Sequence, residues 1–390
     1  MRVWLVANAR FPTEWAHGGQ IASMAAAFVA LGHRVQVVVP RRPDAIAEDP
    51  ATFYGVEGGF TVRRLPDLGR LHRQPLASAP QRLAFAAAAG LACARARPDL
   101  VLSRDELAAA ACAPWAPTLV EVHKLPVRGL PVYGALLRAA AGVVSTNRAK
   151  AARLSADLGV PAGRILVAQN GADVAGIQAA PIREGVREAL GLPASSRLVL
   201  YSGHLHAWKG VETLVAAADL LAGAGSDAGS GADTHVLLLG GRDEDVARFR
   251  RQHAGPRVHV LGRVPRAQVA SWLKAADVLV LPNVGSSYES RHETSPLKLL
   301  EYMASGRPIV ASDLPSVREL LDDTTAVLVP PDDPAALAAG VRATLEDPIA
   351  ARGRAQPGFP RPPLQPRIRP PGGGPARRHR AIRAAPASSP

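Results

Sequence analysis

Short runs rich in Val, Leu and Ile recur almost from one end of the chain to the other, separated by stretches with helical periodicity. This rhythm constrains the fold more than any single residue does. Runs that are apolar throughout predict strands buried on both faces, and strands joined through helices predict parallel sheets covered on both sides. The first series of runs reads Val3 to Ala7, Arg34 to Val39, Thr61 to Leu65, Leu100 to Ser103, Thr118 to Val122, Gly142 to Ser145 and Ile165 to Ala168. Helical stretches lie between them, notably Gln20 to Leu31 and Pro80 to Ala96. The pattern restarts with Arg197 to Ser202, Val236 to Leu239, Val258 to Leu261, Val278 to Leu281, Pro308 to Ala311 and Ala326 to Val329. Between the two series, Ala172 to Ser196 carries Pro181 and Pro193 around a short helical stretch, the best boundary. The expected class is α/β, with two Rossmann-like doubly wound domains at residues 1–175 and 176–352.

A chain of 390 residues with 47% hydrophobic residues has material for more than one core. Its two cysteines, Cys93 and Cys112, lie outside any CxxC or Cys/His cluster and read as buried thiols in a reducing compartment rather than as a metal or redox site. The apolar run after Arg2 is too short for a signal peptide and reads as a first strand; no run has the length of a membrane span. The expected location is cytoplasmic. Residues 353–390 hold eight arginines, ten prolines and no acid, so this tail supplies eight of the thirteen net positive charges. Prolines remove donors and glycines add entropy there, so a disordered basic tail is expected. Tail-driven nucleic-acid binding is the alternative function such a segment raises, although nothing points to a specific nucleic acid. Gly223 to Thr234, rich in Gly, Ala, Ser and Asp, reads as a surface loop.

The segment from Glu293 to Pro308 is the most informative. Ser295 followed by Pro296 is a helix start, a hydroxyl N-cap with proline at the first helical position, and Leu297 opens the apolar face. Lys298 then stands in the first turn, where the helix dipole is already positive, and is misplaced unless an anion sits there. Free N–H groups, dipole and lysine together make a phosphate site. Glu301 on the same helix and Glu293 before it could accept hydrogen bonds from sugar hydroxyls. The competing account is a solvated i,i+3 pair between Lys298 and Glu301 on an ordinary capped helix.

A second signal is Tyr201-Ser-Gly203-His204-Leu-His206-Ala-Trp-Lys209-Gly210, where a buried strand ends in a glycine turn ahead of a helix near Val211. Ligands of open α/β sheets bind beyond the carboxyl ends of strands, which places His204 and Lys209 to face one. Asp243-Glu-Asp245 has the form of a metal-binding Asp-x-Asp, but it follows Gly240-Gly241 at a helix start, where acids favour the dipole.

Taken together, Gly203-His-Leu-x-x-x-Lys209-Gly, Leu261-Gly-Arg-Val264, Ala276-Asp-Val278 with Pro282, and Glu293 to Glu301 resemble the nucleotide-sugar-binding domain of the family 4 retaining glycosyltransferases, the group 1 enzymes of GT-B fold. The resemblance spans about residues 1 to 350 and is strongest between 201 and 330. It implies two domains facing a central cleft and hexosyl transfer from a UDP- or GDP-linked sugar to an acceptor hydroxyl, with retention and without a cofactor or metal. It also implies roles. Lys209, Lys298 and His204 would hold the diphosphate, with Ser295, Pro296 and Leu297 forming the helix start; Glu301 would bind ribose and Glu293 the transferred sugar. Arg263 and Val264 would meet the base through backbone groups, and Gly18 and Gly19 match the glycine loop near the donor phosphates. His123, in Glu121-Val-His123-Lys, matches a histidine near the reacting centre. His123, Glu293 and Lys209 are thus the catalytic candidates. Asn170-Gly171-Ala-Asp173 resembles the turn before the interdomain linker.

Two departures stand out. His204 occupies a position where the family commonly has arginine, a stronger diphosphate ligand. Family members also close with a helix that crosses back onto the first domain, and the Pro/Arg-rich tail stands in its place, leaving a degenerate, non-catalytic nucleotide-sugar binder as the alternative. The stretch Lys124 to Arg138 is a candidate for peripheral contact with an anionic membrane, against the plainer account of an acceptor-side loop and helix. The acceptor, whether glycan, lipid or small molecule, is not encoded in any of these motifs.

Overall fold

Among the described residues, thirteen strands form where the apolar runs lie. The structure, a computed structural model, describes residues 1–13, 15–42, 46–66, 78–126, 129–223, 233–293 and 297–347. Strands β1 (Arg2–Val6), β2 (Arg34–Pro40), β3 (Thr61–Leu65), β4 (Leu100–Ser103), β5 (Thr118–Val122), β6 (Gly142–Ser145) and β7 (Ile165–Val167) form one sheet. Strands β8 (Arg197–Ser202), β9 (Thr234–Leu239), β10 (Val258–Gly262), β11 (Val278–Leu281), β12 (Ile309–Ser312) and β13 (Val327–Val329) form the other. Every pairing is parallel.

Burial on both faces explains the uninterrupted apolar runs. Along β8, Leu198 and Leu200 enter one core while Val199 and Tyr201 enter the other; along β1, Val3 and Leu5 alternate in the same way with Trp4 and Val6. Each such side chain contributes about 1.5 to 3 kcal/mol of hydrophobic burial, so a polar residue on either face of a central strand is strongly selected against.

The strand orders are β3-β2-β1-β4-β5-β6-β7 and β10-β9-β8-β11-β12-β13. In each sheet the chain winds outward in one direction and then returns to build in the other, so the order reverses between β1 and β4 and between β8 and β11. Helices leaving neighbouring strands part at these points and open a crevice at the carboxyl ends.

Several sequence expectations shift. The helix expected from Gln20 runs from Ala16 to Ala30, which puts Gly18 and Gly19 inside its first turn. The cause is distant in sequence: Tyr54 Oη donates to the Thr13 carbonyl at 2.8 Å and accepts from the Thr13 N–H at 2.7 Å. A side chain on Gly18 would collide with that hydroxyl. The helix expected from Pro80 starts at Ser78. The boundary region holds two short helices, Val174–Ala179 and Val186–Ala189. The first packs on helices Arg266–Ala275 and Leu297–Ser305, and Lys274 Nζ donates to the Gln178 carbonyl at 2.8 Å. Cys93 and Cys112 are both buried, with Cys93 Sγ 3.9 Å from the Cys112 carbonyl oxygen. Most of the loop Gly223 to Thr234 and the whole tail, including the question of its closing helix, lie outside the described residues. Among the described residues, no helix is long and apolar enough to cross a membrane.

At the second crevice one glycine is decisive. Gly210 follows Lys209 with φ of 67°, and a Cβ there would overlap the Pro282 carbonyl oxygen beyond β11. Gly210→Ala should therefore destabilise the fold by about 2 to 4 kcal/mol. Thermal unfolding followed by circular dichroism checks this, and an unchanged midpoint would contradict the close approach.

Candidate functional site

Two buried tyrosines shape the backbone beyond β8. Tyr302 Oη accepts from the Ser202 N–H at 2.8 Å, and Tyr201 Oη donates to the His204 carbonyl at 2.6 Å. The segment then turns through Ala207–Lys209, and the Lys209 ammonium lies 4.0 Å from the Trp208 ring centroid. Burial and the positive charge of Lys298 push the Lys209 pKa down to about 8, with Glu289 acting in the opposite sense. Two lysines 89 positions apart thus face one another electrostatically across the crevice. An anion between them would relieve both the repulsion and the lost hydration.

Lys298 and Glu301 project from one face of the helix Leu297–Ser305, as their spacing requires. They are paired with one another, Nζ to Oε2 at 2.8 Å. A phosphate and a hydroxyl would have to replace that contact. Leu297 opens the helix and is half-buried; Ser295 and Pro296 lie outside the described residues. Glu293 ends the turn Glu289–Glu293, and its side chain lies outside those described.

His204 extends the positive crevice. Its ring stacks on His206 at 5.3 Å and reaches Trp15 of the first sheet's half at 6.2 Å. Burial, then the neighbouring His206 and the charges of Lys209, Lys298 and Arg242, lower its pKa, so the imidazole is neutral at pH 7. Arg263 is exposed, whereas Val264 packs on the second-sheet core with Leu261. A Cβ at Gly19 would meet only the tip of the exposed Arg266 side chain, which can move aside, so close packing requires glycine at Gly18 rather than at Gly19.

At the first crevice, His123 follows β5 within a polar network that reaches several helices. Its Nε2 lies 2.7 Å from Glu121 Oε1 and 2.5 Å from an Arg104 nitrogen, and can donate to the first or accept from the second. Arg104 also donates to the His17 carbonyl at 3.2 Å and to Gln20 Oε1 at 3.0 Å; Gln20 Nε2 in turn donates to Asn170 Oδ1 at 2.7 Å. Lys150 Nζ donates to the His123 carbonyl at 2.7 Å and to Thr146 Oγ1 at 2.8 Å. Burial would raise the Glu121 pKa, but the His123 contact and the charges of Arg104 and Lys150 hold it below the ordinary value. Burial lowers the His123 pKa despite Glu121. The resting pair is a charged carboxylate and a neutral imidazole.

Arg104, Glu121, His17 and Lys150 were not singled out from the sequence. Arg104 directly follows an apolar run, as His123 does, so the rule about strand ends would have found it. His17 and Lys150 enter from helical turns that carry no local signal. Asp243, Glu244 and Asp245 lie in the first turn of helix Asp243–His253, as expected of a helix start. Asp245 pairs with Arg242 and Arg248, each at 3.0 Å. Among the described residues, no group of three or more His, Cys, Asp or Glu is arranged to hold a metal.

The Lys209 pKa has a direct consequence. An anion binds the ammonium form, so nucleoside diphosphate affinity should be full below pH 8 and fall as pH rises above it. Lys209→Arg should flatten that profile and Lys209→Ala should weaken binding by about ten- to a hundredfold. Calorimetric titrations from about pH 6.5 to 9.5 check both.

Two family models match the chain, one in each half. The family model described as Glycosyl transferases group 1 matches residues 196–347, and that described as Glycosyltransferase Family 4 matches residues 19–175. A phosphatidyl-myo-inositol mannosyltransferase of Mycolicibacterium smegmatis is 34% identical over 180 residues, covering 46% of this chain and 42% of that protein. A D-inositol 3-phosphate glycosyltransferase of Xylanimonas cellulosilytica is 34% identical over 176 residues, covering 43% and 38%. The chain thus spans less than half the length of these curated relatives. Among solved structures, sucrose-phosphate synthase from Thermosynechococcus elongatus has a TM-score of 0.69 at 22% identity, covering 91% of this chain and 92% of that one. Anabaena HepE in complex with UDP-glucose has a TM-score of 0.64 at 18% identity, covering 91% and 92%. With its first half matched by the family 4 model, its second by the group 1 model and its fold by GT-B structures, the chain belongs to the group 1 glycosyltransferases of family 4.

Proposed function

We propose that the protein moves a hexosyl group from a UDP- or GDP-linked sugar to an acceptor hydroxyl, with retention of configuration and without a bound metal. The observation that carries this reading is the gathering of Lys209 and Lys298 at the β8/β11 reversal, close enough for the charge of Lys298 to help lower the Lys209 pKa. Residues 176–352 would hold the donor, with the lysines and His204 on the diphosphate, Glu301 on the ribose, Glu293 on the transferred sugar and the backbone at Arg263 and Val264 beside the base. Residues 1–175 would present the acceptor, with His123 at the reacting centre and Gly18 and Gly19 letting the backbone approach the donor.

Charge builds on the leaving diphosphate as the glycosidic bond breaks. Fixed cations in a partly dehydrated crevice stabilise that charge without reorganising, the logic of an oxyanion hole. A neutral His123 held by Glu121 can orient a hydroxyl without competing as a cation for the phosphate. The leaving diphosphate would take up the acceptor proton on the same face. The names of the curated relatives put inositol derivatives first on an acceptor panel, and the Anabaena complex puts UDP-glucose first on a donor panel.

Binding of UDP, GDP, UDP-glucose and GDP-mannose in the presence of EDTA tests the reading. One base should bind selectively, and Glu301→Ala should weaken it about tenfold or more, as expected for lost hydrogen bonds to a charged group. A folded protein that binds none of the four would overturn the donor site and favour the degenerate, non-catalytic alternative.

A further inference from the structure

The two halves of the molecule meet again beyond the crevices, at the first turn of the nine-residue helix Arg148–Ala156. Glu319, just after the second half's helix Pro315–Arg318, sets its carboxylate on the exposed end of that turn. Its oxygens accept from the Arg148 N–H at 2.9 and 3.1 Å and from the Ala149 N–H at 3.3 Å. These amides have no partner within the helix, and the dipole there favours a negative charge. The cap Asn147 is 2% exposed and works in both directions: Oδ1 accepts from the Lys150 N–H at 2.8 Å, and Nδ2 donates to the His292 carbonyl of the second half at 3.0 Å.

Both ends of this contact lead to the site. Lys150, in the same turn and 1% exposed, holds the His123 carbonyl. His292 lies in the turn Glu289–Glu293, which Ser316 Oγ ties at 2.7 Å through the Ser290 carbonyl to the helix preceding Glu319. An exposed Lys124 to Glu289 contact at 3.4 Å joins the residue after His123 to the same turn, but as a solvated pair it contributes little.

We propose that this helical turn is a clasp that sets the spacing between His123 and the turn Glu289–Glu293, making Asn147, Lys150 and Glu319 positioning residues for the transfer. The proposal rests on the glycosyltransferase reading. None of the three needs to touch substrate. Because the turn is rigid and bonded at both ends, its register fixes how the acceptor-side imidazole meets the sugar-side turn when the halves are closed, and an error of about 1 Å there is enough to slow transfer about a hundredfold.

The test uses the full chain with Glu319→Ala and its conservative counterpart Glu319→Gln. Hydrogen exchange needs no ligand, and in Glu319→Ala the Arg148 and Ala149 amides should exchange faster than in the wild type. Unchanged exchange would mean the contact is not made in solution, and the proposal falls. Calorimetry with UDP and GDP should give equal Kd values for wild type and variants. Turnover of UDP-glucose or GDP-mannose, with water as acceptor, should show kcat lowered about ten- to a hundredfold at unchanged KM in Glu319→Ala, with partial recovery in Glu319→Gln, which still accepts hydrogen bonds. An unchanged kcat beside faster exchange, or a Kd that weakens in step with kcat, overturns the positioning role. If the wild type binds no nucleotide at all, the donor-site reading itself fails, an outcome that the ligand-free exchange experiment keeps distinct from failure of the clasp.

Discussion

Everything that functions in this molecule depends on the parallel strand. A parallel sheet must be covered on both faces, so its strands are largely apolar and most of its polar chemistry is displaced to their ends. All strands of a sheet point the same way, so their carboxyl ends share one edge. The winding reverses at β1/β4 and β8/β11, and the polar residues that follow the strands collect there: Arg104 after β4, His123 after β5, His204 and Lys209 after β8. The site results from packing before it results from any individual side chain.

Electrostatics then sets the state in which the site waits. On the donor side, burial and mutual repulsion weaken the hold of Lys209 on its proton and keep His204 neutral. On the acceptor side, Glu121 remains charged although buried because His123, Arg104 and Lys150 surround it. The two sides thus carry opposite devices, cations repelling one another on one and a carboxylate kept charged by its neighbours on the other. That asymmetry matches a reaction in which negative charge develops on the departing diphosphate and the acceptor needs only orientation.

The strands were legible in the sequence because hydrophobic periodicity is a local property. The thirteen expected runs coincide with the thirteen described strands to within two residues at their ends. Helix starts were less so: the first helix begins at Ala16 rather than Gln20 because Tyr54, some forty positions away, fixes Thr13 and needs the space above Gly18. Lys209 and Lys298 could be read because a cation at a helix start or strand end is locally anomalous. Lys150 and His17 could not, since each is an ordinary residue in an ordinary helical turn until tertiary packing places it beside His123. Val264 shows the converse: a motif position whose side chain the structure packs, partly buried, against the core.

The ion pair between Lys298 and Glu301 would make the proposed donor site an ion-exchange lock. A ligand that offers only phosphate strands the Glu301 carboxylate beside it, and one that offers only hydroxyls leaves Lys298 holding its old partner. A molecule carrying both groups at the right separation displaces the pair at both ends and pays neither penalty. On that reading, discrimination against inorganic phosphate and free nucleosides would be built into a single turn of helix.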